Sequence, residues 1–309
     1  MNTIKLTMSQ ALTKWMINQK IEQFSSKHEN AFVGVWGIFG HGNVAGLGEA
    51  LFDVKDKLPT FRGHNEQGMA HAAISFAKQK KRRQMMAVTS SIGPGATNFL
   101  TACALAYVNR LPVLFLPGDV FANRLPDPVL QQTENFADAT VSANDCFKPI
   151  SRFFDRITRP EQIIQSLPKA MSVLTDPADC GPVTLSLCQD VQSEAYNYPE
   201  TFFEPKVWKI RRQPCDFDEL ENVIKKINSS KNPLIIVGGG VKYSGAKTEL
   251  ENLINSTGIP FAVTQAGKSS LDETNSKFVG SIGVTGSSVA NELAKKSDLV
   301  ISVGSRLQD

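Results

Sequence analysis

Apolar residues in this chain fall into two patterns: short unbroken runs, and longer stretches where they recur every three or four positions. The first pattern suits strands buried on both faces, the second amphipathic helices. Read this way, "AFVGVWGIF" (31–39), "LPTFR" (58–62), "QMMAVTSS" (84–91), "LPVLFLPGD" (111–119) and "GPVTLSLCQD" (181–190) are strands. Helical patterns surround them in "TMSQALTKWMINQ", with Thr7 or Ser9 as its cap, "EQGMAHAAISFAKQ", "ATNFLTACALAYVNR" and "RPEQIIQSLPKAMSVLTD". This alternation predicts an α/β fold around a parallel sheet over residues 1–190. Residues 191–215 lack a clear period and carry prolines, so they read as a linker, its aromatics lying against a surface. A second α/β domain is expected over 216–309, built from the helix "DELENVIKKINSS", strand "PLIIVGGG", helix "GAKTELENLINSTG", strand "IPFAVT", helix "SSVANELAKKS" and strand "DLVISVGS". Asp309 follows directly on that last strand, and a parallel domain seldom ends on an uncovered strand. The expectation is therefore a truncated chain.

Composition narrows the function classes. The 309 residues are 41% hydrophobic and 20% charged, enough for two domains with real cores. A net charge of +3 is too balanced to imply a nucleic-acid partner, and the basic run "KQKKRRQ" (78–84) reads as a solvated helix end. The five cysteines form no CxxC pair and have no histidine at ligand spacing, which argues against zinc or a disulfide framework. The N-terminus does not resemble a signal peptide, and no apolar run reaches the roughly 20 residues needed to span a bilayer. A cytoplasmic protein without a membrane partner is expected.

Three strands end in glycine-rich turns, "FGHGNVAG" (39–46), "SIGPGATN" (91–98) and "VGGGVKYSG" (237–245). Ligands of open parallel sheets gather beyond the carboxyl ends of strands, so the turns mark one functional edge. Gly40-His41-Gly42-Asn43-Val44-Ala45 also satisfies the dinucleotide pattern GxGxxG/A, with Glu66 as its candidate acid. Against a nicotinamide site, Glu66 heads the next helix rather than ending a strand. Glu66 faces a stretch containing Met69, Ala70, Ala72, Ala73, Ile74, Phe76 and Ala77. From local sequence alone it is equally a helix-capping carboxylate and a functional acid.

The combination of "NEQGMAHAA" with "TSSIGPGATNFLTACALAYVNRLPVLFLPGD" resembles the pyrimidine-binding domain of thiamine-diphosphate enzymes, the acetolactate synthase and pyruvate oxidase group. "GGG", "TQAGK" and "DLVISVGSR" are similar to that group's central, Rossmann-like domain. "FGHGNVAGLGEAL", "PDPVLQQTENFADA", "NDCFKPISRFFDRITRPEQ" and "DPADCGPVTLSLCQDVQSEAYNYPE" further resemble one branch, the trihydroxycyclohexanedione hydrolases of myo-inositol breakdown.

The resemblance implies a hydrolase that cleaves a carbon–carbon bond of a cyclic 1,2-diketone to give 5-deoxyglucuronate, with thiamine diphosphate and magnesium as cofactors. It places on Glu66 the carboxylate that hydrogen-bonds the cofactor's aminopyrimidine and so activates it. It places the Gly93-Pro94-Gly95 turn at the cofactor's edge, and Gln131, beside Gln132, near the substrate. His41 is a further candidate substrate contact, equally readable as a loop residue. Relatives often carry His directly before the Glu; here that position is Asn65, so His64 takes no catalytic role, and His28 and His71 read as structural. Lys148 and Arg152 serve packing and surface charge equally well. No Gly-Asp-Gly magnesium motif occurs, "PGDV" (117–120) being the nearest string. The diphosphate-binding domain and the magnesium ligands are therefore expected outside this chain, the active site at a homo-oligomer interface, and the piece alone inactive. The alternatives are an acetolactate-type carboligase or decarboxylase, an NAD-dependent oxidoreductase on "GHGNVA", and a flavin held by "VGGGVKYSG".

Overall fold

The computed structural model describes residues 2–307 except 124, 127, 128, 134 and 136. Asp127, Pro128, Glu134 and Phe136 of the family-like stretch 126–139, and the terminal Asp309, thus lie outside the described residues. The chain divides into two compact units, Met1–Arg211 and Arg212–Asp309.

The first unit is built on six parallel strands: β1 (Phe32–Gly37), β2 (Thr60–Arg62), β3 (Met85–Ser90), β4 (Leu114–Asp119), β5 (Phe153–Ile157) and β6 (Val183–Cys188). Their order across the sheet is β2-β1-β3-β4-β6-β5. Every residue of β3, β4 and β6 is buried, as expected of central strands covered on both faces. The main core joins strand residues such as Val35, Ala87, Leu116 and Leu185 to α1 (Met8–Ile17) and to the later helix Ile163–Leu174. Thr7 caps α1, its hydroxyl accepting from Gln10 N while the Gln10 side chain accepts from Thr7 N. On α2 (Glu66–Gln79), Met69, Ala70, Ala73, Ile74 and Ala77 are buried, whereas Ala72 and Phe76 lie toward the flanks. α3 (Leu100–Asn109) packs beside α2.

Residues 191–211 belong to the first unit. Ala195–Pro199 pairs antiparallel with Thr3–Thr7, and Lys206–Trp208 pairs parallel with Gln19–Glu22. Phe202 stacks on Tyr198 and Trp15, and Phe203 meets both Phe202 and Tyr198 edge-on, so these aromatics pack against the body of the unit, as expected there.

The second unit carries the parallel strands β7 (Pro233–Val237), β8 (Phe261–Val263), β9 (Phe278–Ser281) and β10 (Leu299–Val303), in the order β9-β8-β7-β10. Its own core packs Ile235, Val237, Phe261 and Val263 against Leu250 and Ile254 of the helix Lys247–Thr257. Among the described residues no helix is long and apolar enough to cross a membrane.

Candidate active site

The turns that follow β1, β3, β4 and β6 meet at the carboxyl edge of the first sheet. Asn43 locks the first of them: its Oδ1 accepts from Gly40 N at 2.9 Å, and its Nδ2 donates to Ile38 O and Thr89 Oγ1, both at 3.1 Å. Gly42 N donates to Ser91 Oγ at 3.2 Å, tying this turn to the one after β3. A side chain on Gly40 would meet Ser91 Oγ at 2.8 Å, and one on Gly42 would meet Ile92 N at 2.7 Å. Gly118 would meet Gly42 O, also at 2.7 Å. Chain-on-chain packing therefore accounts for the glycines of the dinucleotide-like motif.

Glu66 opens α2 directly after its N-cap Asn65, whose side chain accepts from Gly68 N at 2.9 Å. The cap is thus Asn65, and Glu66 is released from that duty. Its carboxylate is half-buried; Oε2 accepts from Asn98 Nδ2 at 2.8 Å. Oε1 faces the bare backbone of Gly95, where a Cβ would stand 3.3 Å away. The structure thus brings Glu66 and the Gly93-Pro94-Gly95 turn together. Asn98, which orients the carboxylate, escaped the sequence reading, because nothing in "GPGATN" marks one Asn as facing a residue 32 positions earlier.

Gly93 adopts a left-handed φ of +62°, and the carbonyl of Gln131 occupies the space a side chain there would need. The backbone of Gln131 therefore leans on the Gly93 turn, with its own φ at 56°. The Gln131 side chain is exposed, while neighbouring Gln132 is half-buried with Nε2 unpaired. His41 stands on the β1 turn, half-buried, at the wall of a cleft shared with Phe121, Gln189 and Gln192. His28 and His64 are exposed, and His71 lies 3.4 Å from Gln67 Nε2. Arg152 covers the Tyr107 ring at 4.1 Å and sits near Asp179, so it serves packing and surface charge.

A partly buried ionic network sits at the end of β4, with Asp119 at its buried centre. Arg156 donates from Nε to Asp119 Oδ2 and from Nη2 to Asp145 Oδ1 and Ser142 Oγ, each at 2.8 Å. Ser186 Oγ also donates to Asp119, and Lys148 pairs with Asp145 at 2.9 Å. Burial works to raise the Asp145 carboxyl, but Lys148, the Ser142 amide and Arg156 outweigh it and hold it below its ordinary value. The Asp of "PGDV" is therefore a structural partner of Arg156. Among the described residues no three His, Cys, Asp or Glu side chains gather where they can hold a metal ion.

In the second unit the glycines of "VGGG" and "TQAGK" lie against other backbone. Gly238 and Gly240 abut Gly304, and Gly267 abuts Val237 O. Gly238 N donates to Val303 O and Gly240 N to Gly304 O, which knits the strand ends together. These contacts favour scaffolding over a flavin cradle.

Two family models match the chain. Residues 16–139 match the N-terminal TPP binding domain of thiamine pyrophosphate enzymes, and residues 220–309 match the central domain of the same enzymes. The chain belongs to the thiamine pyrophosphate enzymes. It is 50% identical, along its whole length, to a 3D-(3,5/4)-trihydroxycyclohexane-1,2-dione hydrolase of Geobacillus thermodenitrificans (strain NG80-2). It is 48% identical to proteins of the same name from Bacillus cereus (strain AH820) and Clostridium tetani (strain Massachusetts / E88). In each case the match covers 100% of this chain and 48% of the relative, so the chain spans about half the length of the curated relatives it matches. The parallel six-stranded sheet with its glycine-rich carboxyl edge is thus the fold of a thiamine pyrophosphate enzyme's N-terminal domain, as the resemblance implied.

Proposed function

We propose that the full-length protein is a thiamine-diphosphate-dependent hydrolase of 3D-(3,5/4)-trihydroxycyclohexane-1,2-dione. Water adds across the bond between the two adjacent carbonyl carbons; one becomes the carboxylate and the other the aldehyde of 5-deoxy-D-glucuronate. The observation that carries this reading is the 48–50% identity over 309 residues to relatives bearing that name.

The residues present fit the cofactor. A glycine stands where a side chain would crowd Glu66 Oε1, leaving that oxygen open at the ligand edge. When bound, thiamine diphosphate supplies a stabilised carbanion for carbon–carbon cleavage. Glu66 would hold and share a proton at Oε1 with the ring nitrogen of the cofactor's aminopyrimidine, while Asn98 keeps Oε2 engaged. The bare backbone of Gly93, Pro94 and Gly95 would form one edge of the cofactor's site. His41 and Gln131 contact the substrate. Residues 1–190 act as the pyrimidine-binding domain, 191–215 as its connection and 216–309 as the central domain. Magnesium and the diphosphate are held by residues outside this chain, and the site closes against a second subunit of a homo-oligomer.

Glu66→Gln in the full-length protein tests the reading. The expected result is a fall in dione turnover of about 10²-fold or more, the scale of general acid–base catalysis, with an unchanged circular dichroism spectrum. Near-wild-type turnover would remove Glu66 from the mechanism. Turnover of pyruvate in place of the dione would assign the scaffold to carboligation or decarboxylation.

A further inference from the structure

The cleft at His41 has a volume of about 200 Å³, with Asn43, Ala45, Phe121, Gln189 and Gln192 among its walls. Most of its polar side chains are committed to the framework. Asn43 is spent on Gly40, Ile38 and Thr89. Gln192 donates to Gly42 O at 2.7 Å and Leu187 O at 3.2 Å, and accepts from Leu47 N at 3.2 Å. The carboxylate of Asp190, the one carboxylate among the described wall residues, accepts from the amides of Ala122, Asn123 and Val191.

Two atoms are left over. His41 Nε2 and Gln189 Oε1 are buried and have no hydrogen-bond partner among the described residues. Each unpaired buried polar atom costs about 1–3 kcal/mol, and two on the wall of one cleft require an explanation. Their chemistry is complementary. A carboxamide oxygen only accepts, whereas a neutral imidazole Nε2 accepts in one of its tautomers and donates in the other. A hydroxyl suits both kinds of atom, giving its proton to a carboxamide oxygen and its lone pair to an imidazole Nε2 in the donating tautomer. The end torsions of His and Gln are soft, so a small rotation turns either atom into the cleft. The Asp190 carboxylate keeps its negative charge, which disfavours an anionic ligand, and its oxygens are already engaged by three backbone amides and not held free for a cation. Phe121 and Ala45 offer apolar surface to a C–H face. The volume lies below the roughly 300–1,000 Å³ of sites for drug-sized ligands, which calls for a small molecule.

We propose that this cleft is a hydroxyl-reading subsite, in which His41 and Gln189 together bind a small, uncharged, polyhydroxylated molecule. The role of the subsite rests on the hydrolase reading, under which that molecule is the hydroxylated ring of the substrate; its binding chemistry does not. Such a site rejects an analogue lacking the hydroxyl, because its own buried groups would stay unpaired.

Isothermal titration of the full-length protein with myo-inositol, a neutral cyclic polyol, tests the subsite without relying on turnover. Saturable binding is expected in the wild type, weakened at least tenfold in both Gln189→Leu and His41→Phe. Unfolding midpoints and thiamine diphosphate affinity, measured on the same samples, establish that each variant is folded. No saturable binding in the wild type, or equal affinity in a folded variant, would overturn the subsite. If myo-inositol binds through these two residues while the dione is not turned over, the hydrolase reading fails and the subsite stands.

Discussion

A single hydrogen bond decides which oxygen of Glu66 faces outward. Asn98 holds Oε2 at 2.8 Å, so Asn98→Ala leaves the carboxylate free to turn toward solvent. Because small misplacements of a reacting group can cost 10²-fold, the proposed function predicts that dione turnover by the full-length protein falls about tenfold to a hundredfold with little change in unfolding midpoint. Steady-state kinetics beside a thermal melt check this, and unchanged turnover would make Asn98 a bystander. At the end of β4 the balance is one of stability. Arg156→Met strands the fully buried Asp119 without its cation, a change that typically costs about 3–5 kcal/mol and would appear as a lowered urea midpoint. Asp145 adds a pH dependence. Its carboxyl lies below its ordinary 3.8 in the folded protein, so the unfolded chain binds more protons as pH falls. The stabilisation is complete above the unfolded value and is lost as pH drops through the folded one. The stability difference between wild type and Asp145→Asn should therefore shrink below about pH 4. A difference that stays constant or grows on acidification would contradict the ion-pair assignment.

Two glycines test how elements depend on their neighbours. Gly46 lies in a π-helical turn (Val44–Gly48) pressed onto the Gln192 side chain, the keystone between β6 and the β1 turn. Gly68 sits in the first turn of α2 with nothing nearer than 3.7 Å to a Cβ. Gly46→Ala should destabilise by about 1–3 kcal/mol through overpacking, while Gly68→Ala should stabilise by about 0.4–1 kcal/mol by restricting the unfolded chain. Opposite shifts in urea midpoint are expected, and equal ones would mean that neither environment matters. The same contrast explains what was legible in the sequence. β3, β4 and β6 stand out as short, apolar-rich runs with only small polar residues or a terminal Asp among them, because both their faces are covered. The edge strand β5, "FFDRI", did not, since its Asp155 and Arg156 answer to partners outside the strand. Thr3–Thr7 was invisible for another reason: its partner is Ala195–Pro199, far along the chain. At the candidate site Glu66 was visible through its motif, whereas Asn98 and Gln189 acquire meaning only from tertiary neighbours.

For the whole molecule, the division into two units makes a claim about where the chain is open. The hydrophobic clusters described for the first unit and for the second draw on separate residues. Residues 211–216 are exposed and lie outside helix and strand, and they contain the tryptic sites Arg211 and Arg212. The preceding aromatic segment differs sharply: Tyr198 is fully buried and donates to Pro160 O at 2.8 Å, within a strand paired to Thr3–Thr7. Proteases cut where backbone can leave its partners, not where residue type alone invites them. Brief trypsin treatment should therefore cut first at Arg211 or Arg212, leaving a stable fragment that ends there. Chymotrypsin, despite Tyr196, Tyr198, Phe202 and Phe203, should leave 196–203 intact over the same period. Mass spectrometry of the early products separates the outcomes. A rapid chymotryptic cut inside 196–203 would mean that these aromatics release their surface readily, and that the working boundary lies nearer residue 190 than 211.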